Sequence, residues 1–185
     1  PRGLKILNGM TWVLPPEILL RTFGTESSGL EEDGDVDTQL RTTMLSRPIF
    51  RGISPTLEEL DPLLSQKIKT SVAEFKQTVR PIMLNSKVYH HTPLLPMMAP
   101  SPWMVLEYAS PDAKRAVVGL FRTSQSGDPV YPFFPRGLDF SRTYRVKFGN
   151  SGETIEMHGD RLLQAGIPVR LSESLTSEML IFEAE

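Results

Sequence analysis

Four prolines within ten residues, Pro93, Pro96, Pro100 and Pro102, divide this 185-residue chain into two stretches of different texture. Proline supplies no amide donor and pushes its predecessor towards extended geometry, so no helix or full sheet ladder can run through such a segment. Residues 84–102 are therefore read as a connector. The connector also carries Leu94, Leu95, Met97 and Met98. A linker that apolar is expected to lie packed against the body rather than free in water.

Upstream of it the chain reads as helix and loop. Leu4–Leu7 and Thr11–Leu14 are short apolar runs. Pro15-Pro16 follows, and Pro16 suits the first turn of a short helix over Glu17–Arg21. Gly24–Asp37 is a polar, acidic loop, and Asp37 or Thr38 can cap a helix over Gln39–Leu45 that Pro48 breaks. The clearest helix has Asp61 as cap and Pro62 at its first position. Leu64, Ile68, Val72, Phe75 and Val79 share one face, and the helix is expected to stop before Pro81.

Downstream the chain reads as strands. Trp103–Ala109 is a strand, and Arg115–Arg122 is apolar on both faces, as a central strand is. The prolines of Val130–Pro135 suit an edge. Thr143–Phe148 alternates, with Tyr144, Val146 and Phe148 inward, and it forms a hairpin with Glu153–His158 across Asn150-Ser151-Gly152. Gly159–Gly166 makes about one helical turn, and Pro168–Leu171 and Ser177–Glu183 complete a two-sheet sandwich.

The absence of cysteine excludes disulfides, thiolate metal sites and cysteine nucleophiles, and a net charge of -2 gives no cationic footprint for nucleic acid. No apolar run is long enough for a membrane helix, and the start lacks a leader-like apolar region; the compartment stays open, with the cytoplasm weakly favoured. The first residue is Pro1 rather than Met, which suggests either a trimmed start or a piece of something longer.

Motifs for a self-contained active site fail one by one. Asp33, Asp35 and Asp37 open like a calcium loop, but Thr38 and Met44 stand where Gly and Glu are needed. His90 and His91 are adjacent, so in an extended segment they point to opposite sides and do not share a metal. His158 lies far from both. No serine sits in G-x-S-x-G, and no glycine run cradles a phosphate. Glu17 and Glu107 are carboxylates that could in principle form a glycosidase pair, but no spacing links them, and unrelated surface positions are the better reading. Trp103 is expected in the core. Trp12 has a fairer chance of lining a site, although packing is favoured there too. Neither a metal nor a cofactor is expected.

Arg136-Gly137-Leu138-Asp139 leads into Tyr144-Arg145-Val146; Gly159-Asp160-Arg161-Leu162-Leu163-Gln164-Ala165-Gly166-Ile167-Pro168-Val169 follows, and the chain closes on Leu175–Phe182. This order resembles the C-terminal β-sandwich of the α-galactosidases (melibiases) of glycoside hydrolase family 36. Leu14-Pro15-Pro16-Glu17, Gln39–Met44 and Leu57–Pro81 resemble the last elements of the catalytic barrel that precedes it. The implied fold class is α+β: residues 1–83 the end of a (β/α)8 barrel, 84–102 the connector and 103–185 an antiparallel β-sandwich.

The implied function is the C-terminal portion of a retaining glycosidase whose two catalytic Asp residues lie upstream. No catalytic residue is carried over, and the chain alone is expected to be inactive. Trp12 and Glu17 are the candidates for the rim of the sugar pocket, because they match the stretch after a late barrel strand. The implied partners are the rest of the barrel and the carbohydrate substrate, not nucleic acid or membrane, and a homo-oligomer is compatible with this. On the barrel reading, residues 1–83 would be poorly ordered unless held by the β half or a partner, whereas the sandwich could fold alone. The alternative is a free-standing β-sandwich that binds carbohydrate or another partner, with Tyr131, Phe133 and Phe134 as its aromatic cluster. A small complete enzyme of another class is disfavoured by the failed motifs.

Overall fold

The computed structural model describes residues 2–24, 34–52, 61–95 and 101–185. Helix α1 (Arg2–Met10) forms where two short apolar runs were expected. Leu4 and Leu7 are one turn apart and point inward, and the bare backbone of Gly3 lets the Arg21 guanidinium lie against the helix. A single 3-10 turn (Pro16–Ile18) follows, and strand β1 (Leu20–Gly24) replaces the expected helix. Helix α2 (Val36–Met44) starts earlier than the sequence pattern suggested, because Asp35 is the cap: its carboxylate accepts the Thr38 amide at 2.7 Å. Strand β2 (Arg47–Arg51) then pairs with β1 in parallel, Phe23 opposite Phe50.

Helix α3 (Pro62–Glu74) is capped by Asp61 as expected. It does not stop before Pro81. A π-helical turn (Phe75–Val79) carries it into α4 (Arg80–Met83). The wider turn gives room for a residue that cannot donate back and whose ring crowds the preceding turn. The apolar face is shared between two cores. Ile68, with Leu64 and Val72, packs with Phe23 and Leu40. Val79 and Phe75 pack on the main sheet.

That sheet has the order β3 (Lys87–His90), β4 (Trp103–Ala109), β5 (Arg115–Arg122), β10 (Thr176–Ala184), β7 (Thr143–Phe148) and β8 (Thr154–His158), antiparallel throughout. A second sheet of β6 (Val130–Phe133) and β9 (Ile167–Arg170) covers one of its faces, together with helix α5 (Gly159–Ala165). Trp103, Val105, Val118, Leu120, Leu180 and Phe182 point to that side.

The opposite face is covered by the helices of the first half. Met104, Leu106, Tyr108, Val117, Phe121, Met179 and Ile181 meet Leu4, Leu7, Met44, Leu45, Val79, Ile82 and Met83. This corrects the expectation of a self-sufficient sandwich: without residues 1–83 a complete apolar sheet face would meet water. Polar contacts reinforce the junction. Arg41 Nη1 donates to the Ser177 carbonyl at 2.6 Å, and Tyr108 Oη donates to the Leu45 carbonyl at 2.8 Å. Gly119 lies directly under Leu45, where any side chain would collide with it. Leu95 of the connector is buried and donates its amide to Asn8 Oδ1 at 2.9 Å, so this part packs on the body. Pro96, Met97, Met98 and Pro100 lie outside the described residues, as does Asp33.

Candidate functional site

The sequence candidates do not converge. Trp12 sits just after α1, 54% exposed, with its ring stacked on His90 at a centroid distance of 4.1 Å. Glu17 lies in the turn that leads into β1, at the amino end of that strand. It lines a cleft of ≈ 560 Å³ with Arg47, Lys76 and Arg80, over a floor that includes Phe50, Phe75 and Met83, and Trp12 is not among its walls. Glu107 is elsewhere, in the interior of the sandwich. Asp35 caps α2, Asp37 pairs with Lys67 at 2.7 Å, and His158 pairs with Asp160 at the surface. Among the described residues no three metal-ligating side chains come together.

The sequence reading missed a buried polar centre. Glu107 is 0% exposed, a finding that overturns its assignment to the surface. Its Oε2 accepts from His91 Nε2 at 2.7 Å and from the Arg136 amide at 2.9 Å, and Oε1 accepts the Gly137 amide at 2.8 Å. Tyr131 Oη donates to the His91 carbonyl, and the Phe133 ring packs against the imidazole. His91 is thus a buried partner rather than a loop histidine. His90 turns the other way, as expected of adjacent residues, onto Thr11 Oγ1 at 2.9 Å and Trp12. Burial lowers the His90 pKa below the ordinary 6.5. The two histidines therefore clamp β3 between α1 and the sandwich. The signal was present in WMVLEYA: a lone carboxylate in an otherwise apolar strand must find partners inside.

The parallel pair β1–β2 is the other distinctive feature. Arg21 and Phe23 of β1 and Phe50 of β2 face the helices. The residues between them, Leu20, Thr22, Ile49 and Arg51, face away, and Leu20 is 63% exposed. Both strands have one unpaired edge among the described residues. Parallel sheets are ordinarily covered on both faces. Among the described residues this one is covered on one face only.

Residues 103–182 match the sequence model of the glycosyl hydrolase family 36 C-terminal domain. The sandwich belongs to that domain family. Solved structures extend the likeness across the whole chain. The galactosidase domain of the α-galactosidase–sucrose kinase AgaSK superposes with a TM-score of 0.75 at 16% identity, over 99% of this chain and 24% of that one. The α-galactosidase AgaA from Geobacillus stearothermophilus, in complex with raffinose, gives 0.73 at 21% identity over 99% and 24%. The Lactobacillus brevis α-galactosidase gives 0.77 at 17% over 98% and 24%. At such identities the likeness is one of fold, and the chain spans about a quarter of the length of each (24%). No match is found among curated protein sequences.

The motifs that carry the resemblance to the family 36 C-terminal domain are structural. In Arg136-Gly137-Leu138-Asp139, the first two amides hold Glu107 and Leu138 packs on the inner core. A side chain at Gly137 would collide with Ala109. Asp139 accepts from the Ser141 amide and hydroxyl and from Arg142 Nε, which keeps its carboxyl below the ordinary range. Gly159 lies against the Asp139 carbonyl and the Phe140 backbone, and Gly166 ends α5 at φ 64°. The cluster Tyr131, Phe133 and Phe134 is no exposed aromatic platform: Phe133 is buried and Tyr131 half-buried. Among the described residues no helix is long and apolar enough to cross a membrane.

Proposed function

We propose that this chain is the C-terminal portion of a retaining α-galactosidase-like glycoside hydrolase. Residues 1–83 close a (β/α)8 barrel, 84–102 connect and 103–185 form the sandwich. The observation that carries the proposal is the β1–α2–β2 unit: parallel strands with helices on one face and, among the described residues, a bare second face and unpaired edges. A closed barrel supplies what such a unit lacks, with strands on both sides and a packed interior against the bare face. The α-galactosidases superposed above support the same reading, because they match 98–99% of the chain, first half included.

In a retaining glycosidase one carboxylate attacks the anomeric carbon and forms a covalent glycosyl-enzyme. The other protonates the departing oxygen and then activates water. In this proposal both come from the upstream part of the barrel. The described residues offer no converging carboxylate pair, and the contribution of this chain is the wall and the support.

Barrel enzymes bind substrate at the carboxyl ends of their strands. On this reading the sugar-facing positions are Gly24 and Arg51. Glu17 lies at the amino end of β1 and Trp12 in the connection that precedes it, which on this reading moves both from the pocket rim to the base of the barrel. The partners in this proposal are the rest of the barrel and an α-galactoside.

The test uses a chromogenic α-galactoside. The full-length gene product should turn it over, and the 185-residue chain should not. Turnover by the chain alone, with a pH profile set by two carboxylates, would overturn the assignment of the acids to the upstream barrel.

A further inference from the structure

We propose that the cleft beside β2 seats an upstream segment of the same polypeptide, an extended stretch that lays apolar side chains on its floor and brings a carboxylate to Lys76 and Arg80. The proposal rests on the barrel reading of residues 1–83 and names the contact that closes the barrel onto this chain. The cleft encloses ≈ 560 Å³. Strand β2 supplies Arg47, Pro48 and Phe50 to its walls and β1 supplies none, so it opens along the edge of β2 that no described strand pairs. The helical wall runs from Val72 through the π-helical turn to Leu84. The floor is apolar and incompletely covered: Phe50 and Phe75 are half-buried, and Leu84 is 47% exposed. The rim is cationic. Arg47, Lys76 and Arg80 are exposed, and none of them has an ion-pair partner among the described residues. Glu17 is the one carboxylate among the described lining residues. Glu17 and Arg47 place the cleft towards the amino ends of β1 and β2, whereas residues 25–33 and 53–60 depart from the carboxyl ends, after Gly24 and Gly52.

An open strand edge is a template for another strand. Side chains alternate along a strand, so every second residue of one laid along β2 would stand over Phe50 and Phe75. Such a segment also takes water from Lys76 and Arg80, a cost that an opposing charge offsets. Three cations against one carboxylate leave the rim short of negative charge. A purely apolar segment would strand those cations, and a purely polar one would leave the phenyl rings wet. The competing occupant is a second copy of this chain. An isologous contact between two such clefts sets the same cations against each other, which charge complementarity disfavours.

The experiment treats the full-length gene product with a water-soluble carbodiimide, which joins an amine to a carboxylate already paired with it, and maps the products by peptide mass spectrometry. The expected result is an amide between Lys76 and an Asp or Glu upstream of Pro1 in the same polypeptide. Lys76→Arg should abolish it, because a guanidinium does not react. A link from Lys76 to a carboxylate within residues 1–185 overturns the proposal, since the chain then closes its own cleft. A link between isotopically distinct copies assigns the cleft to a second copy and overturns it as well, and so does the absence of any link at Lys76. Charge reversal gives a second readout. Lys76→Glu combined with Arg80→Glu should lower the melting temperature of the full-length product and not that of the 185-residue chain, where both side chains are exposed and without an ion-pair partner. An equal fall in both overturns the proposal. Turnover of a chromogenic α-galactoside by the same preparation reports on the glycosidase reading separately: turnover without the link sinks the proposal alone, and the link without turnover sinks that reading alone.

Discussion

Glu107→Gln isolates the centre that joins β3, β4 and the loop before β7. The substitution keeps the shape and removes the charge. In the native protein three N–H groups point at the two carboxylate oxygens, from His91 at 2.7 Å, Arg136 at 2.9 Å and Gly137 at 2.8 Å. An amide has one oxygen. Its NH2 must therefore replace an acceptor, and at least one buried N–H then faces another donor. Leaving a buried donor unmet costs about 1–3 kcal/mol, and a hydrogen bond to a charged group contributes about 1.5–3 kcal/mol. A loss of about 3 kcal/mol is expected, which for a domain of this size lowers Tm by about 6–12 °C. Urea unfolding of the 185-residue chain, followed by the fluorescence of buried Trp103, measures it. His91→Asn in the same background completes a double-mutant cycle, and the two losses should fall short of additive by more than about 0.5 kcal/mol. A Glu107→Gln variant within about 0.5 kcal/mol of wild type would refute the view that this carboxylate organises the motif loop.

Three further outcomes are expected. Gly137→Ala should destabilise by about 1–3 kcal/mol, since its methyl group would have to displace Ala109 or Tyr89; circular-dichroism melting detects it. His90 carries a pH dependence of definite sign. Burial lowers its folded-state pKa below the 6.5 it has unfolded, so the unfolded chain binds the proton more readily and stability falls as pH drops below 6.5 through the folded value. Urea midpoints measured at successive pH values should show that fall, and His90→Gln should flatten it; the Asp112, Asp139 and Asp160 carboxyls, all lowered by hydrogen bonds, release their share only at pH values below 3.8. Residues 84–185 expressed alone should bind a hydrophobic dye and lack a cooperative melt, because the helix-covered sheet face would be bare; a sharp transition without dye binding would show that the sandwich stands alone.

Where burial follows one simple period, the sequence was transparent. The β7–β8 hairpin shows strict alternation because its two strands lie at the margin of the sheet, and β5 is apolar on both faces because both faces are covered. The α3 cap was legible from Asp61-Pro62. The β1–β2 pair was not: LRTFG and RPIFR are short, and the described residues pack only one of their faces, so neither period emerges. Helix α1 was hidden because its inward residues Leu4 and Leu7 sit among outward apolar ones such as Ile6 and Met10. Glu107 was misassigned because its partners are 16, 29 and 30 residues away in the chain, beyond any local pattern.

The same geometry explains why a search for catalytic motifs found none while a resemblance was visible. The residues that make the β half recognisable are the ones a packed backbone cannot exchange: Gly137 against Ala109, Gly159 against Phe140, and Arg136-Gly137 amides on Glu107. They fix how the loop before β7 meets β4, and β4 presents its other face, through Met104, Leu106 and Tyr108, to the first-half helices. Tyr108 in turn donates to the carbonyl of Leu45, the residue that ends α2 immediately before β2. A chain of direct contacts thus runs from the motif loop to the start of the strand whose far end carries Arg51. The sandwich sets the position of β2 through α2, and a strand held at its amino end by a rigid neighbour presents its carboxyl end at a fixed height. That coupling gives the sandwich a role in positioning the β1–β2 pair that requires no reactive group of its own. It also explains why the conspicuous residues of this chain are glycines and backbone-binding side chains rather than acids in a cleft.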